Sequence, residues 1–318
     1  MTAPEPATGP PARTIDSDTR PSPARATRHY RVTHRTTYAY DSAVAAGHTI
    51  ARLTPRSLPH QDVHASDVAS MPAPTHRRTH VDGFGNTVTY LAVDAPHDHL
   101  EVTATSDVTI RSRPVPDGVW DGPWEDAVAA TATSGGPDGL LARLCRLDSP
   151  LVVRGPELAA FAATELIPGR PLGEAAAGLT DRIFDTFEFV PGATDVTTPP
   201  AEVLADRRGV CQDFAHLLLA ALRSAGLGAR YVSGYLETVP PPGQPRLVGA
   251  DASHAWVGLF VPGRGWVDLD PTNGLVQPDR HVTVGWGRDY TDVVPVRGVV
   301  FGPPAEQQLT VSVDVAPV

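Results

Sequence analysis

The fold of this chain is decided by residues 207–236, which read RRGVCQDFAHLLLAALRSAGLGARYVSGYL. Apolar side chains recur in this stretch at helical spacing and form one face: Phe214, Leu217, Leu218, Ala221, Leu222 and Ala225. Gly226 follows at the position where a glycine commonly ends a helix. The pattern predicts a helix over 211–225, with Cys211 in its first turn, and then a strand near 229–237.

The position of Cys211 offers two interpretations. At a helix N-terminus, unpaired N–H groups and the positive end of the dipole favour a thiolate over a thiol. A backbone N–H at that place can also stabilise an oxyanion. A free cysteine is, however, often only a small buried apolar residue. The helix alone leaves both interpretations open.

A second informative segment, residues 249–274, reads GADASHAWVGLFVPGRGWVDLDPTNG. Two apolar runs within it, 255–261 and 265–270, are joined by the turn PGRG and predict a β-hairpin. A histidine begins the first strand and an aspartate ends the second. Both therefore lie at the end of the hairpin that is away from the turn.

The register of this hairpin decides which carboxylate the histidine meets. If Val261 faces Gly265, then His254 and Asp270 share one face and are diagonal neighbours. Asp268 shares that face but lies too far along the strands. A lone strand histidine is often only a half-buried structural residue. A His–Asp pair together with a helix-terminal cysteine is instead typical of nucleophilic catalysis.

These segments resemble the bacterial transglutaminase-like family, a branch of the papain-like cysteine enzymes. The resemblance covers about residues 29–300. It is carried by GVCQDFAHL (209–217), SHAW (253–256), WVDLDPTNG (266–274), FVPGATDV (189–196), HYRVTHRTTYAYDSAV (29–44), RLTPR (52–56) and DGFGNTV (82–88). The first three segments contain cysteine, histidine and aspartate in the order that the family has.

The resemblance implies both a fold and a set of catalytic roles. The fold is α+β: a papain-like, transglutaminase-like domain, whose cysteine helix packs on an antiparallel sheet, preceded by an all-β sandwich. The implied roles are Cys211 as nucleophile, His254 as general base and acid, and Asp270 as the orienting carboxylate. One departure is Phe189, where related sequences usually have tyrosine. If a tyrosine hydroxyl assists the oxyanion in those relatives, this chain lacks it.

Changes in composition and in the spacing of apolar residues along the chain predict its domain organisation. Residues 1–27 are rich in Pro, Thr and Ala and predict a disordered tail. Alternating runs with β-branched residues and tyrosine predict the N-terminal β domain at 28–115. Helical spacing in GLLARLCRL, PELAAFAATEL and LTDRIFDTFEFV then indicates short helices. We predict a linker with short helices at 116–150, the catalytic domain at 151–300 and a C-terminal extension at 301–318.

Composition narrows the function classes. The net charge is −10, from 26 Lys+Arg against 36 Asp+Glu, and no basic run exceeds two residues, so we expect no nucleic-acid binding. No stretch reaches the roughly 18 apolar residues of a membrane span, and no secretory signal is recognised. Two cysteines make no disulfide framework. We therefore expect a cytoplasmic protein with reduced thiols and no membrane partner.

Other histidines offer weaker sites. His60 with His64, and His76 with His80, have the spacing of a metal pair on a helix. They fall, however, in a region predicted to be strands and loops, where that spacing does not converge on one ion. We therefore predict neither a metal nor another cofactor.

The remaining candidates near the cysteine helix are predicted to be structural. His216 is five residues after Cys211, about 140° around the helix, and so cannot be its base. Cys145 has no histidine partner and is predicted to lie in the core. Gln212 and Asp213 are polar residues of the first turn, and Asp213 suits the helix dipole.

The roles that the resemblance implies for Cys211, His254 and Asp270 predict an enzyme that acts on amide or isopeptide bonds of a peptide or protein through a cysteine thioester. Hydrolysis, as in a peptidase or amidase, is the favoured outcome. One alternative is protein-glutamine or polyamine crosslinking, in which an amine replaces water. All 26 basic residues are arginine, so the chain cannot crosslink itself through lysine. An alternative of another class is a catalytically silent peptide-binding module. The sequence does not predict the oligomeric state.

Overall fold

The chain folds into strands at both ends and a mixture of helices and strands between them. The computed structural model describes residues 27–114, 116, 118–237, 253–302 and 306–318. The predicted disordered tail, except Thr27, lies outside the described residues. The strands in chain order are β1 (Thr27–Val44), β2 (Ala46–Ala51), β3 (Gln61–Met71), β4 (His76–Val81), β5 (Thr87–Val93), β6 (His97–Arg111), β7 (Glu188–Phe189), β8 (Arg208–Gly209), β9 (Ala229–Leu236), β10 (Ser253–Val261), β11 (Gly265–Asp270), β12 (Leu275–Val276), β13 (His281–Gly287), β14 (Val296–Phe301) and β15 (Gln307–Pro317). The helices are α1 (Trp124–Thr133), α2 (Gly136–Leu144), α3 (Pro156–Ala162), α4 (Leu172–Thr186), α5 (Pro200–Asp206) and α6 (Cys211–Ser224), with a 3₁₀ turn at Tyr290–Asp292.

The N-terminal region is a β-sandwich, as predicted. Its two antiparallel sheets have the strand orders β15-β1-β6-β3 and β14-β2-β5-β4. Alternate residues of the strands point inward, and side chains from both sheets share one core, among them Tyr40, Val44, Leu91 and Val102. This packing follows from the alternation of apolar and polar residues in β1 and β6.

The last strands of the chain complete this sandwich. Strand β15 pairs with β1 from Tyr30 opposite Pro317 to Tyr40 opposite Gln307, and β14 pairs with β2. For residues 301–318 the sequence predicted only a C-terminal extension. Their pairing with the first strands of the chain was not predicted, because alternation can indicate a strand but does not identify its partner. The alternating runs that predict the β domain do not include β3 (61–71) or β4 (76–81). All of β4 is exposed, so it has no apolar alternation to detect.

The region that carries the candidate site is α+β. Its sheet has five antiparallel strands in the order β12-β11-β10-β9-β13, and β7 pairs with β8 in a short parallel ladder. Helix α6 is buried from Asp213 to Arg223, and its apolar side chains pack with those of β9 and β10 in the largest core. Helix α1 begins at Trp124, inside the predicted linker, and α1 and α2 contribute to the cores. No helix among the described residues is long and apolar enough to cross a bilayer.

Helix α6 ends where the sequence predicted. Gly226 has a φ of +85°, which glycine adopts more easily than other residues. Its N–H donates to the carbonyl of Arg223 at 2.9 Å, and the N–H of Leu227 donates to that of Leu222 at 3.0 Å. This pair of bonds is a Schellman motif. It satisfies two carbonyls at the helix end and turns the chain into β9.

Two amide side chains of the N-terminal region close the free edge of β13. The Gln61 amide donates to the carbonyl of Thr283 at 2.7 Å and accepts from its N–H at 2.8 Å. The Asn86 amide does the same at Trp286, at 2.9 and 3.0 Å. Each amide thus replaces a peptide group of the missing neighbouring strand. The edge of the sheet is therefore covered, and the two regions are joined through β13.

A stack of arginine and tryptophan side chains lies beside these bonds. The Arg56 guanidinium carbon is 3.5 Å from the centre of the Trp286 ring, and that of Arg230 is 3.6 Å from the same ring. Two groups this close to one ring must lie on opposite faces. Arg230 also lies 4.1 Å from the Trp266 ring. The stack therefore links the N-terminal region to both β13 and β11 through cation–π contacts.

We expect Asn86→Ala to lower the free energy of unfolding by about 3 kcal/mol, because it leaves the buried N–H and carbonyl of Trp286 unpaired. Urea unfolding of the two proteins measures this difference. Gln308→Ala, which truncates an exposed amide on β15, is the matched control and should change stability by less than about 0.5 kcal/mol. An equal effect of both substitutions would contradict the role assigned to Asn86.

Candidate active site

The first turn of α6 is held by a carboxylate. Asp213, the third residue of the helix, accepts hydrogen bonds through Oδ2 from the N–H of Val210 at 2.8 Å and from Thr194 Oγ1 at 2.6 Å. A Cβ at Gly209 would lie 2.8 Å from that oxygen, so only glycine fits there without displacement. Burial raises the pKa of Asp213 although both hydrogen bonds lower it. Asp213 therefore fixes the helix start that places Cys211.

Phe189 lies beside this helix start. It pairs with Gly209 in the short parallel ladder of β7 and β8, and its ring packs edge-on against Phe214. The ring remains 40% exposed. Phe189, where the sequence departs from its relatives, thus lies opposite Gly209, which is two residues before Cys211 in the chain. A phenyl ring offers no hydrogen-bond donor there.

The hairpin of β10 and β11 has the predicted register. Val261 lies opposite Gly265 and Val257 opposite Leu269, with no bulge between them. As a consequence, His254 Nε2 lies 2.8 Å from Asp270 Oδ2. Asp268 lies opposite Gly258, further along the ladder. The predictions that Asp270 meets the histidine and that Asp268 does not are confirmed.

The Asp270 carboxylate is fully buried and accepts hydrogen bonds from five donors. Its Oδ1 accepts from the backbone N–H groups of Thr272 and Asn273, at 2.9 and 3.2 Å. Its Oδ2 accepts from the side chains of His254 at 2.8 Å, His281 at 2.7 Å and Asn273 at 2.7 Å. Burial alone would raise the pKa of Asp270, but the His254 charge and these bonds hold it well below its usual range. The group is a carboxylate at neutral pH.

His254 stands between this carboxylate and the thiol. Its Nε2 is hydrogen-bonded to Asp270 Oδ2 at 2.8 Å, and Cys211 is near enough to raise the pKa of the ring through hydrogen bonding and charge. Burial lowers the pKa of His254, but the charge of Asp270 and the two hydrogen bonds outweigh that effect and raise it. The structure thus brings the three predicted residues together, with an imidazole that favours its charged form.

Sequence reasoning missed two side chains of this cluster, His281 and Asn273. His281 begins β13, a strand that the sequence did not predict, and nothing local connects it with Asp270. Asn273 lies in the PTNG turn directly after Asp270, where an asparagine is a usual turn residue. Its Nδ2 lies 3.3 Å from His254 Nε2, and both nitrogens donate to the same oxygen. Burial lowers the pKa of His281 although its bond to Asp270 raises it.

The arrangement of His254, Asp270 and His281 is a hydrogen-bond network rather than a set of metal ligands. The three residues are buried and their ligand atoms lie within 4.8 Å of one another. The N–O distances of 2.7 and 2.8 Å are, however, those of direct hydrogen bonds. Nitrogen and oxygen atoms bound to one tetrahedral Zn²⁺ at about 2.0 Å would be separated by about 3.3 Å.

The histidine pairs singled out by spacing lie elsewhere. His76 and His80 are exposed on β4, where four residues span about 13 Å. His64 Nε2 is 2.6 Å from Thr109 Oγ1 on the neighbouring strand. The strand spacing therefore separates His76 from His80 too widely for one ion.

The two tryptophans of the hairpin have different surroundings. Trp256 is fully buried and stacks on His254, with the rings 6.0 Å apart and inclined by 28°. Trp266 donates through Nε1 to Asp138 Oδ1 at 3.0 Å and packs on Phe260. Trp256 therefore packs against one face of the His254 ring, and Trp266 belongs to the structural core.

The remaining thiol and the histidine of α6 are structural. Cys145 is fully buried beside Phe260 and Trp266, and burial raises the pKa of its thiol to about 11. His216 Nε2 accepts a hydrogen bond from the N–H of Tyr290 at 3.2 Å, and burial lowers its pKa to about 4. The prediction that Cys145 lies in the core is confirmed.

Two regions of the chain match known protein families. Residues 30–109 match the bacterial transglutaminase-like N-terminal region, and residues 162–271 match the transglutaminase-like superfamily. An uncharacterized protein of Mycobacterium tuberculosis is 42% identical over 93% of this chain and 95% of its own length. A protein-glutamine gamma-glutamyltransferase of Pseudomonas aeruginosa is 33% identical over 35% of this chain and 14% of its own length.

The fold has a counterpart among solved structures. A proposed cysteine protease from Cytophaga hutchinsonii superposes with a TM-score of 0.72 and 19% sequence identity, over 92% of this chain and 91% of that one. At this identity the similarity concerns the fold, which is of the papain-like, transglutaminase-like type. From the two matched regions and its full-length relatives, the chain belongs to the transglutaminase-like superfamily.

Proposed function

We propose that this chain is a cysteine enzyme that cleaves amide or isopeptide bonds of peptides or proteins through an acyl-thioester on Cys211. His254 acts as general base and acid, and Asp270 orients it. The observation that carries this proposal is the hydrogen bond of 2.8 Å between His254 and the buried Asp270 carboxylate, next to a cysteine at a helix start that also raises the pKa of His254. A charged histidine beside a thiol at a helix N-terminus stabilises the thiolate that attacks carbonyl carbon.

The reaction then runs in two steps. The Cys211 sulfur bonds to the carbonyl carbon, and the amine leaves with a proton from His254. In the second step His254 takes a proton from water, which attacks the thioester, releases the acid and returns the sulfur to its thiolate form. Asp270 keeps its charge throughout and stabilises the imidazolium. Phe189 has no hydroxyl that could stabilise the oxyanion. Backbone N–H groups at the start of α6 are suited to that role, because they have no partner within the helix.

Amine transfer is the second candidate, because the same thioester reacts with an amine in place of water. The Pseudomonas relative is named for that reaction, and its similarity spans a third of this chain. The three residues support either outcome, so the acceptor has to be measured. A silent binding module is the alternative of another class. A cytoplasmic location remains a prediction from the sequence.

We expect iodoacetamide at about pH 6 to label Cys211 quickly and to leave Cys145 unlabelled in the folded protein, because only Cys211 has a charged histidine beside it. Peptide mapping by mass spectrometry measures the two rates. Cys211→Ser should abolish fast labelling, whereas Cys145→Ser should not. Equal labelling of both thiols would contradict the proposed nucleophile.

The type of reaction is tested with a glutamine-containing peptide library, with and without an added primary amine. Release of free acid identifies hydrolysis, and incorporation of the amine identifies transfer. Neither product should form with Cys211→Ser. If the wild-type protein labels rapidly at Cys211 but binds peptides without turning them over, the chain is a silent binding module.

We expect Asp270→Asn to reduce turnover, or labelling where no substrate is found, by about 100-fold, equivalent to about 2.7 kcal/mol of barrier. The carboxylate is fully buried and accepts five hydrogen bonds, so the variant should also lose about 3 kcal/mol of stability. Rates are therefore compared below its melting temperature.

The same substitution carries a pH signature. The pKa of Asp270 is lower in the folded than in the unfolded chain, so its contribution to stability is present above the unfolded value of about 3.9 and is lost as the pH falls below it. The stability difference between Asp270→Asn and wild type should therefore shrink in acid. A difference that grows in acid would contradict the assigned charge.

A further inference from the structure

We propose that His281 is a positioning residue of this site, which donates a second imidazole hydrogen bond to Asp270 and so fixes the carboxylate that orients His254. The inference rests on the proposed function for its effect on reactivity, but the hydrogen bond itself does not depend on that function.

The geometry places two imidazoles on one oxygen. His281 Nε2 lies 2.7 Å from Asp270 Oδ2, and His254 Nε2 lies 2.8 Å from the same atom. The two rings are 5.3 Å apart and inclined by 64°. Asp270 therefore cannot rotate toward or away from His254 without breaking its bond to His281. A carboxylate held in this way keeps the His254 ring in one orientation.

The bond to Asp270 explains why a histidine is found at position 281. Its side chain is 3% exposed, and among the described residues its Nδ1 has no hydrogen-bond partner. A buried polar group with one unsatisfied atom is costly, and an apolar side chain would fill the same space without that cost. The compensating contact of His281 is the bond to Asp270.

The same surroundings determine which nitrogen carries the proton. The charged groups that face His281 are Asp270, His254 and, further along β11, Asp268, while the Trp256 ring lies edge-on at 4.9 Å. A proton on Nδ1 would have no acceptor among the described residues. The ring is therefore neutral with its proton on Nε2, where it donates to the carboxylate. His281 thus acts on Asp270 as a donor, whereas Cys211 affects the pKa of His254.

The strand that carries His281 is held by the N-terminal sandwich. Gln61 bonds both backbone groups of Thr283, two residues from His281, and Asn86 bonds those of Trp286. The sandwich thereby sets the position of β13 against β9 and, through His281, the position of Asp270. This gives the N-terminal region a physical connection to the site although its side chains do not contact Cys211 in any described bond.

The experiment compares two variants of His281 with a matched control. His281→Gln keeps a side-chain N–H donor at a similar reach, and His281→Met removes the donor while keeping an apolar chain of similar length. His97→Met is the control, because His97 is also buried, also bonds through one ring nitrogen, here to the carbonyl of Ala95, and has its other ring nitrogen unpartnered among the described residues. The readout is the pH profile of Cys211 alkylation, together with a melting curve for each protein.

We expect His281→Met to lower the alkylation rate at about pH 6 by about tenfold and to move the acidic limb of the profile to higher pH, because a less ordered His254 stabilises the thiolate less. His281→Gln should remain within about threefold of wild type. His97→Met should have a lower melting temperature than wild type but the same pH profile of Cys211 alkylation. The proposal is overturned if His281→Met keeps the wild-type profile, or if Gln and Met variants lose reactivity equally.

A measurement on the wild-type protein covers the case in which His281→Met does not fold. Two-bond ¹H–¹⁵N spectra report the tautomer of each histidine, and His281 should be neutral with its proton on Nε2. A proton on Nδ1 alone would overturn the proposal, because Nε2 could then not donate. If wild-type Cys211 is unreactive while this tautomer is found, the proposed function fails and the His281–Asp270 bond stands.

Discussion

The structure around the site depends on one constraint, a carboxylate buried without access to water. An isolated charge in the interior is strongly disfavoured, and Asp270 is tolerated because five donors surround it. Those donors come from β10, β13 and the turn after β11. Satisfying one carboxylate therefore fixes three separate pieces of chain, and His254 is one of the groups that it fixes. The charge of Asp270 in turn maintains the charged form of the histidine beside Cys211.

The same requirement explains why the two regions of the molecule are joined where they are. Strand β13 is at the edge of its sheet, and its outer N–H and carbonyl groups need partners. Gln61 and Asn86 supply them from the sandwich, and the Arg–Trp stack covers the neighbouring surface. The sandwich is itself completed by β14 and β15, which follow the α+β region in the chain and pair with β2 and β1. Each region thus contributes strands or hydrogen bonds that the other lacks.

Much of the site could be predicted because its elements are local and strongly patterned. The apolar face of α6 and Gly226 set the limits of the helix, which begins at Cys211. The PGRG turn sets the register of the hairpin, and a register shift by one residue would have separated His254 from Asp270. Two strands of the sandwich, β3 and β4, lack the alternating apolar pattern of the others because they are largely polar or exposed. The sequence of residues 301–318 did not predict which strands they pair with.

Short-range pattern was enough to predict that Cys211, His254 and Asp270 lie together, since each is at a helix end or strand end that such a pattern defines. Only the tertiary structure decided that His281 and Asn273 complete the shell of Asp270, and that Gln61 and Asn86 hold β13. These contacts join residues as far apart as 222 positions in the chain. A single polar residue in a strand has no periodic signal, and its partner depends on how sheets pack, which local propensity does not specify. The physical reason is that backbone pattern is set by neighbours in sequence, whereas the partners of a buried polar group are set by neighbours in space.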